Sequence, residues 1–141
     1  DNINDIYVDG GDRIWLAIYP AGVTIRNNRY QSYEWFRHSP GNSRSLVNDQ
    51  VHDVIEDSEG DLWFATSNGI SLLQPAVGRW RSFLSRSDGI QDGGNHIFLT
   101  LCEVSPGVIC AGGYASGLYR IEKKTGRVEY FPPSFLSLIH I

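Results

Sequence analysis

The sequence predicts an all-β chain built from repeats, on three observations. Asp57-Ser58-Glu59-Gly60-Asp61-Leu62-Trp63-Phe64-Ala65 replays Asp9-Gly10-Gly11-Asp12-Arg13-Ile14-Trp15-Leu16-Ala17, which sets the two tryptophans 48 positions apart. Within each copy the apolar residues fall in short runs, rich in β-branched and aromatic side chains and bounded by Gly, Asn, Asp or Pro. No stretch of ten or more residues has a 3.6-residue period, so no helix is expected. A recurrence at this spacing is the mark of a repeat architecture.

The first copy, residues 1–47, carries Asp5-Ile6-Tyr7-Val8-Asp9, which aligns with Asp53-Val54-Ile55-Glu56-Asp57 of the second copy, residues 48–94. Gly22-Val23-Thr24-Ile25 aligns with Gly69-Ile70-Ser71-Leu72 after one residue of slippage. In the second copy the runs Val51–Glu56, Leu62–Thr66, Ile70–Leu73 and Trp80–Leu84 predict four strands. Ser58-Glu59-Gly60 suits a three-residue hairpin that ends with Gly60 in a left-handed conformation, and Asp12 takes that place in the first copy. Ser67-Asn68-Gly69 is the second turn signal.

A third copy, residues 95–135, is degenerate. Gly107 stands for Gly60 and Gly117-Leu118-Tyr119 for Gly69-Ile70-Ser71, but Val104 replaces the Asp and Cys110 the Trp. Its fourth strand is expected in Gly126–Phe131. Residues 136–141 break the pattern and read as non-native sequence resembling a translated sequencing adaptor, or else as the start of a further copy.

Four short antiparallel strands per repeat of this length describe the blades of a β-propeller, packed face to face around a channel. Three copies are fewer than a closed ring needs, so the expected fold is a partial β-propeller of three four-stranded antiparallel blades, an open fragment of a larger one. Runs such as Leu62-Trp63-Phe64-Ala65 fit strands covered on both faces. Asp9, Trp15, Gly22, Asp57, Gly60, Trp63, Gly69, Gly107 and Gly117 are the structural positions of the repeat, with the two Trp rings expected between blades.

Composition agrees. The chain is 41% hydrophobic and 12% aromatic with 15 Gly, which suits a folded, turn-rich protein. Its net charge is −4, with 12 basic and 16 acidic residues and no basic block, which argues against a nucleic-acid partner. Arg79, Arg81 and Arg86 are the densest basic spacing and read as a solvated face on an outer strand.

The candidates for chemistry are few. Asp53, Glu56, Asp57, Glu59 and Asp61 cluster, and a Ca²⁺ site or a glycosidase-like acid pair is conceivable. Asp57 and Asp61 flank a tight turn, however, where Asp caps local amides, and turn capping is the expectation. His52 and Asp53 are strand neighbours that point to opposite faces, and no Ser presents a suitable partner. The two Cys and four His lack zinc spacing, and the Gly pairs lack the strand-to-helix setting of a phosphate loop. No catalytic residue, metal or cofactor is expected. Tyr19-Pro20-Ala21 and Tyr114-Ala115-Ser116 are enlarged copies of one turn, and Tyr19 and Tyr114 are the ligand-binding candidates, as rim aromatics able to stack on sugars.

Cys102 and Cys110 admit two readings. If the third copy keeps the register of the second, Val104 faces Val108 and Cys102 lies opposite Cys110, close enough for a disulfide. A two-residue Pro106-Gly107 turn pairs Cys102 with Ala111 instead and leaves two buried thiols.

The pattern from Asn48 through Ile70, N-x-x-V-x-x-V-I-E-D-x-x-G-x-L-W-F-A-T-x-x-G-I, resembles the two-component regulator propeller repeat, as does the linker His38–Leu46 before it. The resemblance covers about residues 2–131 and is strongest in the middle copy. It implies a periplasmic, ligand-sensing part of a membrane-bound hybrid histidine kinase, with an oligosaccharide as stimulus. It also implies further blades of the same parent as partners, a possible homodimer, and membrane attachment through other parts of the parent. No phosphoacceptor or ATP-binding motif accompanies it in this sequence. A propeller scaffold for protein partners is the alternative, and a polysaccharide lyase or hydrolase the third.

Overall fold

The computed structural model describes residues 2–27, 29, 32–88 and 95–134. The tail at 136–141 and the pair Gly93-Gly94 lie outside the described residues. Among the described residues, twelve strands form three four-stranded antiparallel sheets, each a meander of consecutive strands. Blade 1 comprises β1 (Asn2–Val8), β2 (Arg13–Tyr19), β3 (Gly22–Asn27) and β4 (Ser32–Phe36). Blade 2 comprises β5 (Val51–Glu56), β6 (Leu62–Thr66), β7 (Gly69–Gln74) and β8 (Arg79–Phe83). Blade 3 comprises β9 (Phe98–Ser105), β10 (Val108–Gly113), β11 (Gly117–Glu122) and β12 (Val128–Phe131). The fold is all-β and propeller-like, as the repeat predicts, with a single turn of 3-10 helix at Arg86–Asp88 that the sequence reading did not anticipate. That turn is closed by Asp88, whose carboxylate accepts from Ser85 N and Ser85 Oγ, both at 2.9 Å.

Each recurring glycine has a steric reason. Gly22, Gly69 and Gly117 open the third strand of their blades with φ of 90°, 93° and 103°. A Cβ on Gly69 would lie 2.7 Å from Phe83 O and 2.8 Å from Ser85 Cα, and Gly22 and Gly117 face Phe36 O and Phe131 O in the same way. A side chain is therefore barred twice, by backbone conformation and by the neighbouring strand. In the first hairpin Gly60 has φ 85° and Gly107 φ 78°, while Asp12 adopts φ 59° in the place expected for it.

The blades bury their aromatics between them. Trp15, Ala17, Val23 and Ile25 of blade 1 meet Val54, Leu62, Phe64 and Leu73 of blade 2, with Tyr7, Phe36 and Trp80 at the margin. Trp63, Ala65, Ile70, Leu72 and Phe83 of blade 2 meet Leu101, Ile109, Ala111, Tyr119 and Ile121 of blade 3. Both Trp rings are fully buried. Removing roughly 200 Å² of such a ring from water contributes at most about 5 kcal/mol. The sheets stack in the same sense, so blades 1 and 2 each turn the Trp-bearing face to the next blade. The first strands β1, β5 and β9 lie side by side along the inner edge of the arc.

Two details depart from the sequence reading. Ser105 pairs with Val108 around a two-residue Pro106-Gly107 turn, so Val104 does not face Val108. A bulge then skips Val104, restoring Ile109 opposite Glu103 and Cys110 opposite Cys102. Arg81 is not simply a solvated residue: its guanidinium donates to Lys123 O at 3.0 Å and lies 5.0 Å over the Phe83 ring, tying blade 2 to blade 3.

Candidate functional site

The carboxylates of the repeat signature serve the fold. Asp9 Oδ1 accepts from Gly11 N at 2.8 Å and Arg13 N at 3.1 Å, while Oδ2 accepts from Trp15 Nε1 and Arg13 Nε, both at 2.8 Å. Asp57 does the same six residues ahead of its own Trp: Oδ1 accepts from Glu59 N and Asp61 N, and Oδ2 from Trp63 Nε1 at 2.9 Å. One side chain thus caps the hairpin and fixes the indole that fills the blade interface, which explains why Asp and Trp recur, and disappear, together. The capping role expected for Asp57 holds. Asp61 departs from the capping role expected for it: its Oδ2 accepts from Gln74 Nε2 at 3.3 Å and meets Lys123 instead of a turn amide.

The Lys123 ammonium, arriving from the β11–β12 turn of blade 3, lies 2.6 Å from Asp61 Oδ2, 2.7 Å from Asp57 Oδ2 and 3.4 Å from Glu59 Oε1. Lys123 is buried. Burial alone would lower its pKa, but Asp57 and Asp61 outweigh that and raise it. Asp57 is the converse: burial pushes the carboxyl up, yet Lys123, Trp63 and the turn amides bring it below the usual range. Asp9 is likewise lowered against its burial by Trp15, the turn amides and Arg13.

A second repeated carboxylate runs along the inner strands. Asp5 Oδ2 accepts from Val54 N at 2.9 Å, and Asp53 Oδ2 from Leu101 N at 2.7 Å, so the first strand of each blade reaches the first strand of the next. Burial, and then the hydrogen bond and charge of Asp5, push the Asp53 carboxyl up to about 6.

The rim that carries the β2–β3 and β10–β11 turns holds both candidate tyrosines. Tyr19 packs on His52 of blade 2, ring centroids 5.8 Å apart, and Tyr114 is exposed two blades away. The bulge at His52 in β5 turns that imidazole toward the rim, where Nε2 meets Ser67 Oγ at 2.8 Å. Adjacency of His52 and Ser67 corrects the expectation that no Ser finds a partner. Asn4 Nδ2 donates to Val51 O at 3.0 Å and faces His52 Nδ1 at 3.5 Å. An amide nitrogen donates and does not accept, so this contact suits the tautomer with its proton on Nε2, directed at Ser67. In that tautomer His52 cannot take a proton from Ser67, and its pKa is lowered by burial. The four side chains Asn4, Tyr19, His52 and Ser67 form a mixed aromatic and polar surface at the junction of blades 1 and 2.

Clefts also open elsewhere on the surface, three of which flank the linker and the hairpin turns. One of about 310 Å³ lies between the linker at His38–Val47 and Arg81, Ser82 and Ser87, and is rich in hydroxyls. One of about 420 Å³ lies beside Glu59, Pro106, Glu122 and Lys124 at the opposite rim, and a smaller one of about 200 Å³ beside Asp12 and Arg29. Tyr19 and Tyr114 line none of these three. Among the described residues no group of His, Cys, Asp or Glu could hold a metal ion, and no helix is long and apolar enough to cross a membrane.

Residues 45–68 match the two component regulator propeller family. Among solved structures the chain is similar to the extracellular domain assigned to the hybrid two component system BT3049 from B. thetaiotaomicron, with a TM-score of 0.81 and 23% identity. The match covers 94% of this chain and 18% of that one. It is also similar to the extracellular domain of BT4673 from the same organism, a second system described as hybrid two component, with a TM-score of 0.70, 19% identity, and coverage of 92% and 16%. This chain therefore spans less than a fifth of those domains. No curated protein matches it. The Asp-capped, Trp-filled hairpin of blade 2 lies within the matched segment: residues 45–68 carry the two component regulator propeller repeat, and the chain shares the fold of these extracellular domains as three stacked four-stranded blades.

Proposed function

We propose that this chain is part of the extracytoplasmic, ligand-sensing propeller of a hybrid two-component sensor, that its stimulus is a glycan-derived oligosaccharide, and that it performs no chemical step itself. The observation that carries the reading is the agreement between the repeat at residues 45–68 and the fold shared with extracellular domains of two-component systems. The same neighbours support the extracytoplasmic location.

The rim at blades 1 and 2 has the chemistry a sugar needs. Tyr19 offers a ring face to the C–H surface of a pyranose, while Asn4, His52 and Ser67 offer donors and acceptors beside it. Tyr114 supplies a second ring on the same rim. Further blades of the parent cover the open faces of blades 1 and 3, and a bound oligosaccharide signals by favouring one arrangement of a dimeric ectodomain. Nucleic acid plays no part.

The test is calorimetric titration of the parent's extracytoplasmic region with a panel of oligosaccharides. One of them binds, and Tyr19→Ala weakens it by about tenfold or more, the loss of one stacked contact, while the melting temperature moves little. Absence of binding across the panel, or an affinity indifferent to Tyr19 and Tyr114, overturns the reading in favour of a protein-binding scaffold.

A further inference from the structure

The rows of directly opposed residues that carry the Trp differ between blades in one informative way. In blade 1 the row is Tyr7, Trp15, Ile25 and Glu34, and in blade 2 it is Ile55, Trp63, Leu72 and Arg81. In blade 3 it is Cys102, Cys110, Arg120 and Glu129. Both members of the large apolar pair on the first two strands have become cysteine. The cap that locks the indole in the other blades is missing too, since Val104 stands where Asp9 and Asp57 stand. The hairpin β9–β10 therefore lacks the side-chain lock of its two siblings.

We propose that Cys102 and Cys110 form a disulfide that replaces the Asp–Trp lock in blade 3. The register supports this, because the bulge that skips Val104 has the effect of setting the two cysteines opposite one another. Their neighbours Leu101 and Ala111 face blade 2, so both thiols lie on the other face of the sheet, on the same side as each other. Directly opposed Cβ atoms stand roughly 4.5–5.5 Å apart, and a disulfide draws them to about 3.5–4.5 Å, a small movement of β9, the edge strand of the four-stranded sheet, toward β10. Both are free thiols in this structure, with Cys102 exposed and Cys110 half-buried.

The reaction is thiol–disulfide exchange with a disulfide-bearing oxidant, either a dithiol carrier protein or oxidised glutathione. Cys102, the accessible thiol, loses its proton and attacks the oxidant's disulfide, releasing one oxidant thiol and leaving a mixed disulfide. Cys110 then loses its proton and displaces the second oxidant thiol, closing the Cys102–Cys110 bond. Two electrons and two protons pass to the oxidant in all. Burial raises the pKa of the Cys110 thiol and so disfavours it as the first attacker, which leaves that step to the exposed Cys102.

The test is thiol counting on the full chain equilibrated with oxidised glutathione, quenched in acid and alkylated under denaturing conditions. The expected result is no alkyl group on the unreduced chain and two after reduction, with a monomer on a non-reducing gel. Reduction lowers the melting temperature of the wild type by roughly 5 °C, and leaves C102S/C110S unchanged. Two alkylated thiols before reduction overturn the proposal, as do disulfide-linked dimers. Thiol counting reads the denatured chain, so it decides the question even if the double variant folds poorly.

Discussion

The Asp9 turn of blade 1 and the Asp57 turn of blade 2 are the same device completed in two ways. In each, a carboxylate caps the hairpin with one oxygen and grips the tryptophan indole with the other. In blade 1 the balancing cation is Arg13, four residues along the same turn, with its side chain still 35% exposed. In blade 2 that position is Asp61, a second negative charge, and the cation is Lys123 from the next blade, 5% exposed. A cap neutralised from within leaves its blade independent, whereas a cap neutralised by its neighbour makes the blade interface part of the turn. The junction of blades 2 and 3 should therefore be the more cooperative and the more sensitive to charge.

The tryptophan itself sets the upper end of the scale. Trp63→Ala empties the centre of the interface, where the ring stacks on Phe83 at 5.4 Å, and should cost about 3–5 kcal/mol by denaturant titration. Lys123→Met is the sharper comparison. It keeps the length and apolar stem of the side chain but strands Asp57 and Asp61 together in a buried site, and should cost about 3 kcal/mol. Arg13→Met at the equivalent cap should cost less than about 1 kcal/mol, because that ion pair is partly solvated. Equal losses from the two would refute the distinction. A constructive version also exists: Asp61→Arg in the Lys123→Met background gives blade 2 the cation of blade 1, and should recover part of the loss.

How far these differences were legible in the sequence depends on how local they are. The four strands of blade 2, the left-handed Asp12 and the glycines that open β3, β7 and β11 follow from residues within a few positions of one another, and the repeat spacing from finding the same local pattern again 48 positions on. Lys123 was invisible because its partner Asp57 lies 66 residues away and no other copy has a counterpart. The pairing of Ser67 with His52 was missed because it depends on a bulge that strict alternation along β5 does not foresee. The third copy shows the same limit from the other side. Of the two turns weighed for Pro106-Gly107, the two-residue form is present, yet a bulge returns the cysteines to the pairing expected of the three-residue form. Asp5 and Asp53 aligned in sequence from the start, but their service to the following blade emerges only once the blades are stacked.

Acid and base should separate the two caps as well. Asp9 and Asp57 are lowered in the fold, so each stabilises it above the ordinary carboxylate range, and that stability is lost as pH falls through the folded pKa. Lys123 is raised, so its contribution is complete below the ordinary lysine pKa, about 10.4, and is lost as pH rises through the folded value. Only the blade 2 cap should therefore weaken at the alkaline end through a lysine, and Lys123→Met should flatten the fall in stability above about pH 10.5.

The smallest effect expected runs in the opposite direction. Asp53 is raised to about 6, so the folded chain holds a proton there that the unfolded chain has released, and ionising it costs stability as pH climbs from about 4 to 6. Asp53→Asn keeps an oxygen to accept from Leu101 N while removing the charge that faces Asp5. It should therefore stabilise the chain modestly at pH 7 and remove that slope between pH 4 and 6, in urea titrations run at each pH. Asp53→Ala is the necessary partner experiment. It removes the charge and the acceptor together, leaves the Leu101 amide unpaired, and should lose stability at every pH. If the Asn variant is also weaker at pH 7, the carboxylate charge holds blades 2 and 3 together, and the difference between a latch that acts by hydrogen bonding and a cap that acts by charge disappears.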